Sequence, residues 1–138
     1  MEQSAIRASY YTSLKASEDE VGRTADCLRS LGFDPWVFKK SRQDEKAKGV
    51  DIALTKDMLS HAFLANYEVA VLVGGDGDYV PLVQEVKRLG KRVHVWFFTD
   101  QGLNPDLVRI ADEFSDLTEL FLREWASYQW QNLPGNKK

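Results

Sequence analysis

Two aspartates one residue apart, Asp76 and Asp78, follow an uninterrupted apolar run in the segment 69–79, VAVLVGGDGDY. Gly74, Gly75 and Gly77 surround them, and glycine lets a chain turn tightly while leaving nearby carboxylates uncrowded. Two carboxylates this close repel each other, and a divalent cation relieves that repulsion. Hard cations such as Mg²⁺ and Mn²⁺ prefer oxygen ligands, and water acidified by such an ion is a nucleophile for hydrolysis. The N-terminus of the helix that follows would also favour negative charge there. A structural alternative needs only local chemistry, with Asp78 as a helix N-cap and Asp76 as a turn residue. A third acid, Asp51, weighs towards the metal. It falls in the first turn of an apolar-striped helix, directly after KAKG and off the stripe. If that helix opens at the same sheet edge, three carboxylates converge. Asp57 is six residues further on, about 120° around a helix of 3.6 residues per turn, and is expected to face solvent.

Other side-chain chemistry has little support. His61 falls late in a helix and His94 inside a strand, so both read as structural or surface residues. Cys27 sits mid-helix among core positions, which argues against a catalytic thiol. Thr12 and Ser13 lie at an expected strand end, where hydroxyls are commonplace. GGDGD lacks the following Gly-Lys-Ser/Thr of a phosphate-binding loop. Residues 39–48, KKSRQDEKAK, gather Lys39, Lys40, Arg42, Lys46 and Lys48, interrupted by Asp44 and Glu45. Such a run is commonly a solvated loop. Because it leads into Asp51, Lys40, Arg42, Lys46 and Lys48 are also candidates for holding phosphates.

The elements that must position these groups alternate. Residues 6–12 (IRASYYT) read as a strand. Residues 17–31 read as a helix, with Ser17 as N-cap, Glu20 as its capping-box partner and Gly32 as the stop. Residues 35–39 form a short strand. Residues 50–64 carry Val50, Leu54, Met58 and Ala62 at helical spacing. Residues 68–73 are nearly all apolar, as in a central parallel strand covered on both faces. A helix over 79–89 ends at Gly90, and 92–98 is another strand. Asn104 caps a short helix over 104–112 with Pro105 at its first position. Residues 113–117 suggest a last strand, 119–131 a helical tail and 132–138 a frayed end. This alternation predicts a three-layer α/β fold, a parallel sheet with helices on both faces. In such sheets ligands bind outside the carboxyl ends of the strands, where Asp76 and Asp78 fall. Trp36, Trp96 and Phe97 lie in strands and are expected to be core residues.

The chain has 138 residues, 43% hydrophobic, 28% charged and 12% aromatic, as in one soluble globular domain over 1–138. A single cysteine excludes an intrachain disulfide and fits a reducing cytoplasm. No apolar run approaches the roughly 18 residues of a membrane helix, and no signal-peptide pattern opens the sequence. A net charge of −3 leaves nucleic-acid contact to local patches.

Three ordered segments, KGVDIALTKDML, EVAVLVGGDGDYVPLVQEVKRLGKRVHVWFF and LVRIADEFSDL, resemble the NYN domain, in particular its bacterial LabA-like branch within the PIN-like nuclease superfamily. The resemblance covers roughly residues 6–118. It implies a PIN-like three-layer fold and cleavage of RNA, single-stranded in the first instance, dependent on Mg²⁺ or Mn²⁺. It assigns Asp51 to the acid of the K-G-V-D motif and Asp76 and Asp78 to the paired acids after the central strand. Asp112 matches a recurrent acid in the last helix and, with Asn104, is a secondary candidate. One departure stands out. The family opens with a central strand ending in an Asp, whereas IRASYYTS resembles the family's second strand and only five residues precede it. The usual first strand and its acid are therefore expected to be missing. An uncovered central edge favours pairing with a partner, which predicts a homodimer completing the sheet or a rearranged sheet. A catalytically incomplete module for nucleic-acid or protein binding is the alternative. A response-regulator receiver fits less well, since no lone phosphoacceptor Asp closes a middle strand.

Overall fold

Local signals set each element, and the observed order follows them closely. The computed structural model describes residues 6–40, 48–119 and 123. Its elements are β1 (Ser9–Leu14), α1 (Glu18–Ser30), β2 (Asp34–Lys39), α2 (Lys48–Phe63), β3 (Val69–Val73), a 3₁₀ turn (Gly77–Tyr79), α3 (Val80–Arg88), β4 (Arg92–Phe97), α4 (Pro105–Ile110) and β5 (Glu113–Asp116). The tail beyond 119, expected as a helix and a frayed end, lies outside the described residues apart from Arg123. The chain divides into two compact units, Met1–Asp57 and Met58–Lys138, each considered in turn.

In the first unit, α1 starts as its sequence demands. Ser17 is extended, its hydroxyl accepts from Glu20 N–H at 3.3 Å, and the Glu20 carboxylate accepts from Ser17 N–H at 3.2 Å. Losing such a cap costs about 1 kcal/mol. After α1, Gly32 takes φ 92°, where a β-carbon would be strained. β1 starts three residues later than expected because pairing with β2 defines it. The two strands run parallel in register from Ser9 opposite Asp34 to Leu14 opposite Lys39.

The side chains of this unit differ from expectation at two points. Asp57 does not face solvent. It turns towards β1, only 20% of its side chain is exposed, and it accepts a hydrogen bond from the Tyr11 hydroxyl at 2.8 Å. Trp36 is not a core residue, since it stays 40% exposed. It stacks beside Tyr11 with ring centroids 6.3 Å apart, and the Lys56 ammonium lies 5.8 Å over its ring. A two-stranded sheet buries little, and in this unit Ala53 is the one buried residue among those described, still 8% exposed.

In the second unit β3, β4 and β5 form a parallel sheet in that order. Val83 and Val86 of α3, Val93 and Val95 of β4 and Leu107 of α4 are fully buried, with Leu72 and Leu82 nearly so. Each such side chain gains about 1.5–3 kcal/mol over the exposed state. The central, most buried strand is thus β4. β3, expected at the centre from its apolar run, is an edge strand, and only Ala70 and Leu72 turn towards the core. Val69, Val71 and Val73 on its other face stay 45%, 46% and 60% exposed. Among the described residues the five strands therefore form two parallel sheets rather than one continuous sheet. The architecture is α/β, as expected. Among the described residues no helix is long and apolar enough to cross a membrane.

Candidate functional site

Asp76 and Asp78 leave the carboxyl end of β3, as the sequence places them, but their local roles differ from the simplest expectation. Asp76, not Asp78, is the cap. It is extended, at φ −75° and ψ 129°, and its carboxylate accepts from Asp78 N–H at 2.9 Å, opening the 3₁₀ turn. Both residues are exposed, and one Asp76 oxygen is committed to this bond.

Two glycines let the loop sit this low. A β-carbon on Gly75 would lie 2.2 Å from the Phe97 ring, and one on Gly77 would lie 2.4 Å from the Asn104 side-chain nitrogen. Phe97 ends β4 and packs edge-to-face with Phe98, centroids 5.9 Å apart. Asn104 ties the two loops together, its N–H donating to Gly75 O at 2.9 Å. Its side-chain oxygen accepts from Asp106 N–H at 2.8 Å and so caps α4, as its sequence position suggested.

Sequence reasoning missed a third acid at this edge. Asp116 ends β5, beside Phe97 at the end of β4. Its carboxylate accepts from Thr118 N–H at 2.9 Å and from the Thr99 hydroxyl at 2.9 Å. These donors, the Thr118 N–H foremost, hold it below the usual carboxylate range. The signal was present as an acid closing a strand with a threonine two residues on.

Asp112 belongs elsewhere. It precedes β5, accepts from Val93 N–H at the start of β4 at 2.8 Å, and faces the Lys87 ammonium at 3.7 Å. The Val93 N–H chiefly, then Lys87 and Arg92, lower its pKa. Because the strands are parallel, this is the amino edge of the sheet, opposite Asp76 and Asp78. The resemblance gave Asp112 a secondary site role, while its geometry is that of a tie between strands.

Asp51 is exposed in the first turn of α2, in the first unit. Of the basic candidates, Lys40 follows β2 with its N–H on Leu14 O at 2.9 Å, Lys48 opens α2, and Arg42 and Lys46 lie outside the described residues. His61 meets Asn66 at 2.9 Å, and His94 lies 3.7 Å from Glu113. Cys27, expected among core positions, is exposed. Thr12 and Ser13 fall within β1 rather than at its end. Trp96, expected in the core, is 39% exposed.

Among the described residues no group of three or more His, Cys, Asp or Glu stands together as a ready metal cage. The Asp76–Asp78 pair nonetheless suits Mg²⁺, which keeps several waters and takes one or two carboxylates together with substrate phosphates. The pair offers exposed carboxylates on a glycine loop.

No match was found among curated proteins. Among solved structures, the chain resembles a crystal structure of a protein of unknown function from Vibrio parahaemolyticus. The two share 30% identity with a TM-score of 0.60, over 81% of this chain and 68% of that one. The sequence also matches the NYN domain over residues 1–118. With the acid pair at the carboxyl edge of a parallel sheet, these likenesses establish that the chain belongs to the NYN domain family.

Proposed function

We propose that this NYN domain, of the LabA-like kind, hydrolyses RNA phosphodiesters with the help of Mg²⁺ or Mn²⁺. The observation that carries the reading is the exposed Asp76–Asp78 pair on a glycine loop at the carboxyl edge of β3. Asp76 and Asp78 would hold the ion, and the resemblance of the K-G-V-D motif makes Asp51 a further candidate ligand. Such an ion, when bound, acidifies a water and offsets the charge building on the phosphate. The chain's own part is to present carboxylates and position the strand. The Asp76 cap fixes the turn that carries Asp78. Asn104 and Phe97 clamp the loop from the neighbouring segment. Lys40, Arg42, Lys46 and Lys48 would hold backbone phosphates, and single-stranded RNA is the substrate class. A reducing, cytoplasmic setting accords with the lone cysteine.

A second reading, a binding module that has kept the fold and lost a complete site, is favoured by one observation, the lack of a three-acid cluster among the described residues. Calorimetric Mn²⁺ titration of the wild type and of Asp76→Asn/Asp78→Asn, followed by incubation with end-labelled single-stranded RNA, separates the two. The nuclease reading expects at least a tenfold loss of Mn²⁺ affinity in the variant and cleavage by wild type alone. Equal Mn²⁺ binding by both proteins, or RNA left intact by wild type with Mn²⁺ present, refutes it.

A further inference from the structure

The edge of β3 carries an unusual combination. Edge strands of soluble proteins are normally blunted by charge, proline or a bulge, yet β3 reads Val-Ala-Val-Leu-Val with none of these. Its backbone also has a direction. Gly74 N–H donates to Trp96 O at 3.2 Å, and Glu68 O accepts from Arg92 N–H at 3.1 Å. Even-numbered residues thus bond towards β4. Backbone groups alternate sides along a strand, so Val69, Val71 and Val73 aim their N–H and C=O groups at the side on which no described strand pairs with β3. The same three residues carry the exposed side chains.

We propose that β3 pairs with β3 of a second copy of this chain, antiparallel about a twofold axis at Val71. The strand is self-complementary in that register. Val71 meets Val71 of the other copy, Val69 meets Val73, and Ala70 meets Leu72. Valine therefore faces valine on the exposed side, and small faces large on the core side. The strand carries no charge, so no like-charged pair arises at its centre, and the β-branched cross-strand pairs are favourable ones. The N–H and C=O groups of Val69, Val71 and Val73 in each copy would satisfy those of the other, which is the isologous contact a twofold requires. Antiparallel pairing sends the two carboxyl ends in opposite directions, so the two Asp76–Asp78 loops leave the joined six-stranded sheet at opposite strand ends.

Light scattering on the size-excluded full chain tests the assembly, and cysteine crosslinking tests the register. The wild type is expected at twice the monomer mass of 15.7 kDa. Val71→Lys, at a position already half exposed in the single chain, is expected to elute at the monomer mass with an unchanged circular dichroism spectrum. In a Cys27→Ser background, Val71→Cys is expected to form a disulfide dimer on mild oxidation, because directly opposed residues stand about 5.5 Å apart between Cα atoms. Val69→Cys alone is expected to stay uncrosslinked, since its opposite is Val73. A monomeric wild type overturns the proposal, as does a dimer that survives Val71→Lys, which would place the contact elsewhere. Crosslinking at Val69→Cys in preference to Val71→Cys overturns the register.

Discussion

Gly75→Ala perturbs the candidate site through one methyl group. Gly75 has an ordinary negative φ, since the positive-φ glycines are Gly32, Gly90 and Gly102. Its backbone would accept alanine, so the cost is steric alone. The new β-carbon would lie 2.2 Å, 2.3 Å and 3.0 Å from three atoms of the Phe97 ring, where carbon atoms normally rest about 3.5–4.0 Å apart. The ring ends a strand and packs against Phe98, so it cannot swing clear as the tip of a flexible side chain would. Overpacking of this kind costs about 1–3 kcal/mol. Alanine recovers about 0.4–1 kcal/mol by restricting the unfolded chain, so the clash wins. The net loss of about 1–2 kcal/mol corresponds to a fall in Tm of roughly 3–10 °C for a chain of this size. Thermal denaturation followed by circular dichroism measures it, and Phe97→Leu supplies the control. Gly75→Ala should be much better tolerated in a Phe97→Leu background, because the partner of the clash has been trimmed. An equal penalty in both backgrounds, or an unchanged Tm for the single variant, would show that the approach of Gly75 to Phe97 does not seat the acidic loop.

Two further expectations concern the charged groups outside that loop. Tyr11→Phe removes the hydroxyl that donates to Asp57 and should cost about 1.5–2 kcal/mol in urea denaturation, the lower part of the range for bonds to a charged acceptor, since Asp57 keeps some contact with water. Burial first, and then Asp57, push the Tyr11 pKa up from 10.0 to about 12. The folded value exceeds the unfolded one, so the stability from neutral Tyr11 is present below pH 10 and is lost as pH rises towards about 12; the wild-type advantage over Tyr11→Phe should shrink across that interval. Asp112 has the opposite sign, because its pKa is lowered in the fold, chiefly by the Val93 N–H. Its contribution is full above the ordinary carboxylate pKa and is lost as pH falls through the lowered value. Asp112→Asn should therefore be less stable than wild type at neutral pH and should lose less on acidification, with unchanged Mn²⁺ binding; an Asp112→Asn variant that binds Mn²⁺ more weakly would return this residue to the metal site.

The acid pair and its loop show how a site can be local in sequence and still depend on distant contacts. The Asp76 cap needs only Asp78, two residues away, and forms from chain-local geometry. The depth at which the loop sits is set by Phe97 and Asn104, more than twenty residues on. Substitutions there are expected to move the loop while leaving its two carboxylates in the sequence unchanged.

What the sequence determined by itself follows from short-range physics. The Ser17–Glu20 box, the Asn104 cap with Pro105, and the glycine stops rest on hydrogen bonds within a turn or on φ at a single residue, and all of them are present. The alternation of strands and helices, and the acids after β3, were legible for the same reason. Tertiary structure decided whatever depends on which strand lies beside which. An apolar run reads alike in a covered strand and in an exposed one, so only pairing revealed that β4 is central and β3 an edge. Asp57 lies on the solvent side of a helical wheel drawn from apolar spacing, until β1 brings Tyr11 to it. Asp112 and Asp116, four residues apart, are divided between opposite edges by the strand that joins them, because a parallel strand carries its two ends to different sides of the sheet.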